Sequence, residues 1–182
     1  MINPSLLKGD LQGWTEFQTG DCNAVILVSC QGLVALEPLF NESEFAEQVT
    51  AFSSAGIKPL SAGQRSIWSQ RISAALANPG LVKELPLDLR GTPFQLAVWS
   101  ALLEIPRGKT LSYAQLARAI GKPKAVRAVG SACGANPLPF LVPCHRILRS
   151  DGSLGGFAFG STMKQQLLDR EKVEGKKPYE HF

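Results

Sequence analysis

The chain contains no uninterrupted apolar run near the ~18 residues that a membrane-spanning helix requires, so no membrane association is expected. Residues 1–10 lack the long apolar segment of a secretory signal. There is no CxxC pair, and the four cysteines (Cys22, Cys30, Cys133, Cys144) are widely spread. That spacing excludes a disulfide scaffold and points to a reducing, intracellular compartment, read here as the cytoplasm. His145 and His181 are the only histidines, and no Cys/His cluster stands at ligand spacing, so no metal is expected. Internal repeats, low-complexity tracts and long linkers are also missing. Charged residues make up only 19% and hydrophobic residues 45%, which excludes a wholly disordered chain.

What is present is a chain of 182 residues, long enough for one domain or two small ones and for a core that needs no staple. The net charge of +4 is unevenly placed. From Gly91 onward there are 13 Lys/Arg against 6 Asp/Glu, and before it 6 against 9. An acidic first half and a basic second half suggest that only the second meets an anionic partner. Nucleic acid is the obvious one, and a mildly basic solvated surface is the plain alternative.

Residues 14–19 alternate apolar and polar, and 24–28 and 33–36 are short apolar runs. Gly20-Asp21 and Gln31-Gly32 stand between them, so a small antiparallel meander is expected. Asn41 caps a helix over 41–52 with Phe45, Val49 and Phe52 on one face, and Glu44 completes a capping-box-like pattern. A second helix spans 62–76 with Ile67, Trp68, Ile72, Ala75 and Leu76 inward, stopped by Asn78-Pro79-Gly80. Residues 85–89 contain Pro86 and make at most an edge strand. The domain boundary is expected at Arg90-Gly91, dividing 1–90 from 91–182. Thr92 then caps a helix with Pro93 in its first turn and Phe94, Val98, Leu102 and Ile105 buried, ended by Pro106-Arg107-Gly108.

Ser112 caps a short helix to Ile120, Gly121-Lys122 turns the chain, and Pro123 opens a second helix from Lys124 to Cys133. Leu116 and Ile120 face Val126 and Val129 across the pair. This is the punctuation of a helix-turn-helix, although helical hairpins also serve simply as packing units. The second helix carries Lys124 and Arg127 among Ala125, Ala128, Gly130, Ser131 and Ala132. Small residues bring a backbone close to DNA but read few base edges, so weak sequence selectivity is expected.

Residues 136–146 run from an asparagine through an apolar stretch to Pro143, Cys144, His145 and Arg146. A nearby histidine or positive charge raises the population of the nucleophilic thiolate. On a regular strand Cys144 and His145 would point to opposite faces, so either the backbone turns there or a water carries the proton. The plainer alternative is a buried cysteine beside a surface His-Arg pair.

Several blocks stand in a fixed order: Ser112-Tyr113-Ala114-Gln115-Leu116-Ala117, Pro123-Lys124-Ala125-Val126-Arg127-Ala128-Val129-Gly130, Asn136-Pro137, Pro143-Cys144-His145-Arg146, Gly152-Ser153-Leu154-Gly155-Gly156-Phe157, and Lys164-Gln165-Gln166-Leu167-Leu168-Asp169-Arg170-Glu171. Together they make the stretch from Gly91 to Glu171 resemble the O6-alkylguanine-DNA alkyltransferases (methylated-DNA–protein-cysteine methyltransferases), bacterial branch. The first 90 residues match only loosely. The resemblance implies an α+β fold with a small ribonuclease-H-like N-terminal sheet subdomain. A C-terminal helical subdomain with a winged-helix-like helix-turn-helix would follow.

The activity implied is DNA repair by direct reversal. The alkyl group of O6-alkylguanine, and of O4-alkylthymine, passes to the protein's own cysteine once and irreversibly. By this resemblance Cys144 accepts the alkyl group, His145 is its base through a water, Glu171 orients the histidine and Asn136 holds the turn. Tyr113 helps rotate the nucleotide out and supports proton transfer at the guanine. Arg127 is the finger that fills the gap in the stack. Lys124, Ala125, Ala128, Gly130 and Arg146 join Tyr113 and Arg127 at the DNA. The Cys144 and Ile147 carbonyls would meet the guanine amino group, and the Ala158 N–H would meet O6. Phe159 would narrow the pocket. The implied partner is double-stranded DNA, bound in the minor groove with little sequence specificity by a monomer, and no cofactor is implied.

The chemistry agrees with that reading. Dealkylation needs a soft nucleophile, the leaving purine oxygen needs a proton, and a stacked base must be extruded to be reached. Three other readings have specific obstacles. A non-catalytic relative would carry tryptophan at Cys144. A transcription regulator would need a better reading helix. A cysteine hydrolase would need direct His-thiol contact and an oxyanion hole.

Overall fold

The alternating segment and the two apolar runs become three strands, β1 (Leu11–Thr19), β2 (Cys22–Ser29) and β3 (Leu33–Leu39), in an antiparallel meander of order β1-β2-β3. The computed structural model describes residues 2–19 and 22–172. The turn expected at Gly20-Asp21, the Cys22 side chain, His181 and the tail from Gly175 lie outside the described residues or side chains. Strand β2 is central, and Ala24 to Val28 are all buried. That is why its sequence is a continuous apolar run rather than an alternation.

Both edges of this sheet are closed by proline-containing segments. Trp14 bridges Pro59 beside β1, and Leu33 bridges Leu87 beside β3, both in parallel sense. The Leu33 N–H donates to the Pro86 carbonyl at 2.9 Å, and the Asp88 N–H donates to the Leu33 carbonyl at 2.9 Å. A proline cannot donate onward, so pairing stops there and the edge is blunted. Gly32 permits this approach: its φ is 153°, and a Cβ there would overlap the Pro86 carbonyl. Gly32→Ala is therefore expected to lower stability by at least ~2 kcal/mol in urea unfolding followed by circular dichroism.

Helix α1 (Glu42–Ser54) starts at Asn41, whose side chain accepts from the Glu44 N–H at 2.9 Å. Helix α2 (Ala62–Ala77) starts at Ser61 in a reciprocal capping box with Gln64. Trp68, Ile72 and Ala75 are buried as expected, but Ile67 is 51% exposed, a correction to the inward stripe. A 100° step places Ile67 beside the buried face rather than on it. Trp14 stacks on Phe52 at 5.3 Å and meets Phe45 edge-on at 6.3 Å. These rings join Val25, Leu27 and Val34 in the core. Arg90 closes this part of the chain: its guanidinium donates to Asp88 at 2.8 Å, to Asp10 at 3.1 Å and to the Lys8 carbonyl.

The chain divides into two compact units, Met1–Arg90 with Pro137–Leu141, and Gly91–Asn136 with Val142 onward. One division falls at Arg90-Gly91, but both units are discontinuous in sequence, because 137–141 belongs with the first. The Pro137 carbonyl accepts from the Leu36 N–H at 2.9 Å within the first unit.

In the second unit, helix α3 (Pro93–Leu103) has Thr92 and Gln95 in a capping box. Its buried side chains are Val98, Trp99 and Leu102, and the Trp99 indole donates to the Ala132 carbonyl at 2.8 Å. Strand β4 (Leu111–Ser112) runs directly into helix α4 (Tyr113–Ala119), which Ser112 and Gln115 cap reciprocally. Helix α5 (Val126–Gly134) begins two residues later than the sequence suggests. Lys124 and Ala125 lie in the turn, because no side chain caps the helix start and Pro123 only initiates the bend. Leu116 and Val129 are fully buried, so the two helices pack as the hairpin pattern requires. Strand β5 (Ile147–Leu148) pairs in parallel with β4, and helix α6 (Gly160–Arg170) is the last helix among the described residues.

Candidate active site

At Cys144 the backbone turns, yet the turn does not bring His145 Nδ1 into hydrogen-bond contact with the thiol among the described residues. Pro143 precedes a short 3-10 turn, Cys144–Arg146, in which the Arg146 N–H donates to the Pro143 carbonyl at 3.0 Å. Asn136 braces this turn. Its Nδ2 donates to the Val142 carbonyl at 2.8 Å and to Cys144 Sγ at 3.3 Å. The β4–β5 pair then ties the segment after Cys144 to the segment that launches Tyr113. Burial pushes the Cys144 thiol up, against the Asn136 N–H and the Lys164 ammonium, which pull it down. At rest the group is a thiol that needs a base.

His145 and Arg146 are not a surface pair: they are 2% and 5% exposed. His145 Nε2 lies 3.0 Å from Glu171 Oε1. Arg146 donates to both oxygens of Glu171, at 2.9 Å from Nε and 2.7 Å from Nη2, and to the Ile105 carbonyl. The expectation that Arg146 touches DNA is therefore corrected, since a guanidinium locked on a buried carboxylate is not free for phosphate. Burial alone would raise the Glu171 carboxyl, but hydrogen bonds from His145 and Arg146 outweigh it and hold it at about 2. Glu171 is thus a carboxylate, so His145 Nε2 must be the donor and Nδ1 carries the lone pair. Nδ1 is buried without a hydrogen-bond partner among the described residues, and burial lowers the pKa of the ring, keeping it neutral. A neutral imidazole with one free lone pair, and a carboxylate behind it to stabilise the cation, has the equipment of a general base.

The carboxylate also has a stability signature. Its folded pKa of about 2 lies below the 4.5 of the free group, so the unfolded chain takes up the proton first as pH falls. Its contribution is complete above pH ~4.5 and is lost as pH approaches ~2, on the order of 3 kcal/mol. Glu171→Gln is expected to flatten that part of the stability–pH curve, measured by urea unfolding at successive pH values.

A cavity of about 500 Å³ opens over Cys144. Helix α5 supplies Val126, Arg127, Gly130, Cys133 and Gly134, and the segment after β5 supplies Arg149, Gly156, Phe157 and Ala158. Tyr113 completes the wall, its hydroxyl donating to the Gly156 carbonyl at 3.2 Å. Burial raises the phenol pKa, so it stays protonated. Arg127 is exposed and lines the cavity, and Lys124 on the turn and Ala128 on α5 are exposed as well. Of the expected pocket residues, Ala158 lines the cavity. Phe157, not Phe159, presents the aromatic wall, and Phe159 packs edge-on against it at 5.6 Å. Ile147 is fully buried, and its carbonyl accepts from Lys164.

Lys164 is the group that sequence reasoning did not single out. It is fully buried on α6, and its ammonium donates to the carbonyls of Ile147, Leu154 and Gly156. It also lies 5.9 Å from the Tyr113 ring centroid. Burial lowers its pKa to about 8, against the thiols of Cys144 and Cys133, which raise it. Its sequence signal is faint: Lys164 stands four residues before buried Leu168, on the same helix face.

Comparison with known proteins places this architecture. Residues 93–173 match the family model described as 6-O-methylguanine DNA methyltransferase, DNA binding domain. The regulatory protein ada of Salmonella typhimurium is 45% identical over 161 residues, covering 86% of this chain and 44% of that protein. The inducible methylated-DNA–protein-cysteine methyltransferase of Bacillus subtilis is 57% identical over 88 residues, 48% of this chain and 49% of that one. The chain thus spans about half the length, or less, of these curated relatives. The crystal structure of Mycobacterium tuberculosis O6-methylguanine methyltransferase superposes with a TM-score of 0.67 at 32% identity, covering 90% of this chain and 94% of that one. The same organism's OGT in complex with DNA gives 0.61 at 30% identity, covering 91% and 95%. The match holds across both compact units and includes the Pro-Cys-His-Arg turn, and on that ground the chain belongs to the O6-methylguanine-DNA methyltransferase family.

Proposed function

We propose that this chain repairs DNA by taking the alkyl group of O6-alkylguanine, and of O4-alkylthymine, onto Cys144. One observation carries the reading: Cys144 lies at a cavity wall while His145 keeps Nδ1 free and holds Nε2 on an ionised Glu171. In the reaction His145 removes the thiol proton through a water. The thiolate attacks the alkyl carbon, an S–C bond forms, and the C–O bond breaks with its electron pair passing to the purine. Tyr113 supports protonation of the leaving base. The product is a thioether with no good leaving group, so each molecule acts once. The reaction requires no cofactor.

DNA is the partner, and the solved relative in complex with DNA supports this. Double-stranded DNA meets the α4–α5 pair through its minor groove, with Arg127 as the finger and the small residues Ala125, Ala128 and Gly130 allowing close approach. Little base-edge readout follows, and the protein acts as a monomer in the cytoplasm. The Cys144 and Ile147 carbonyls receive the guanine amino group, and the Ala158 N–H meets O6. The test is to incubate the protein with DNA carrying radiolabelled O6-methylguanine and to map the label. One methyl per chain on the Cys144 peptide supports the reading. Repeated turnover, or label elsewhere, overturns it.

A further inference from the structure

We infer that Arg149 binds the phosphodiester beside the extruded nucleotide, an inference that rests on the alkyl-transfer reading and extends it. Arg149 follows β5 directly and is fixed by a tight turn. Its N–H donates to the Ser153 carbonyl at 2.8 Å, and the Gly152 N–H returns to the Arg149 carbonyl at 2.9 Å. Asp151, the acid of the same turn, has Oδ1 on the Ser153 N–H at 2.8 Å. The Arg149 stem lies beside the Tyr113 ring: a Cβ on Gly155 would stand 3.3 Å from Arg149 Cγ and 3.1 Å from Tyr113 Cε2. Gly155, at φ 64°, leaves room for both.

The residue is exposed and belongs to two concavities at once. One is the cavity over Cys144. The other is a shallower cleft of about 260 Å³, lined among others by Thr110, Ser112, Gln115, Arg118 and Ser150. Among the described residues neither is lined by a carboxylate. Hydroxyls, an amide and a second guanidinium are the chemistry of an anion track, and a planar guanidinium suits a phosphate fork. A nucleotide whose base reaches Cys144 leaves its phosphate at the cavity mouth, where Arg149 joins the two concavities. The Arg127 finger answers to the vacated stack, which only a duplex has. Arg149 answers to the phosphate, which a single strand also has.

The experiment compares transfer rates from a duplex, from a single-stranded oligonucleotide carrying O6-methylguanine, and from the free base O6-benzylguanine. Arg149→Ala is expected to lose at least about ten-fold more on both DNA substrates than on the free base, with Arg149→Lys partly restoring it. The slope of log affinity against log salt for the single strand should become shallower by about 0.7. Arg127→Ala should lose more on the duplex than on the single strand or the free base. Equal loss on base and DNA, no loss, or a loss confined to the duplex overturns the inference. If the wild-type protein transfers nothing from any substrate, the alkyl-transfer reading fails. Fluorescence anisotropy on the same oligonucleotides then decides Arg149 alone: a shallower salt slope upholds it and an unchanged slope overturns it.

Discussion

Cys144→Ala is expected to abolish alkyl transfer while leaving the fold and DNA affinity in place. The sulfur is the only atom at that position able to form the new bond, and no neighbouring group replaces it. Cys133 shares the cavity, but burial pushes its thiol up to about 12, so it offers essentially no thiolate near neutral pH. The cost to stability is small, ~1 kcal/mol, because one buried sulfur is removed and Asn136 Nδ2 keeps the Val142 carbonyl. Cys144→Ser keeps the shape but offers a hydroxyl that a neutral imidazole deprotonates poorly, so transfer should fall by ~10³-fold or more. Single-turnover assays with intact-mass readout, beside oligonucleotide binding, check both variants. Methyl transfer at wild-type rate in either one would remove Cys144 from the chemistry.

Lys164→Met is the second large effect. Methionine matches the length of lysine but donates nothing, so the Ile147, Leu154 and Gly156 carbonyls lose a shared donor. The segment they belong to carries the cavity wall at Gly156 and the acceptor of the Tyr113 hydroxyl. The variant also removes the positive charge that pulls the Cys144 thiol down. Both effects slow transfer, and together they should cost ~100-fold or more. Stability should change less, because two terms oppose. The depressed folded pKa of about 8 means that burying the ammonium costs free energy below that pH. That cost is relieved as pH rises toward 10.5, and the variant escapes it altogether while losing the hydrogen bonds. A residue that merely packs would lower transfer without moving its pH dependence. The expected signature here is a shift of the thiol titration to higher pH, followed by iodoacetamide labelling of Cys144.

The elements were largely legible because their signals are local. Asn41, Ser61, Thr92 and Ser112 each cap a helix because a short side-chain acceptor there satisfies an orphan N–H three residues on. The apolar run at 24–28 marked a strand, and the structure buries it on both faces. The start of α5 was less legible because no capping side chain marks it and proline tolerates several turn geometries. Ile67 failed because an apolar residue carries no label for its side of a helix.

By itself the sequence determined which chemistry is possible: a cysteine beside a histidine, an asparagine upstream, a glutamate downstream, and a basic second half. Spacing along a chain does not say which groups meet, and there the tertiary structure decided. It turned the backbone at Pro143, put Arg146 on Glu171 rather than on a phosphate, and left His145 with one free nitrogen. It also buried a lysine under Tyr113 on a helix whose sequence reads as an ordinary surface. Hydrogen-bond partners and burial are properties of packing between distant segments, and packing is settled only when the whole chain has closed around them.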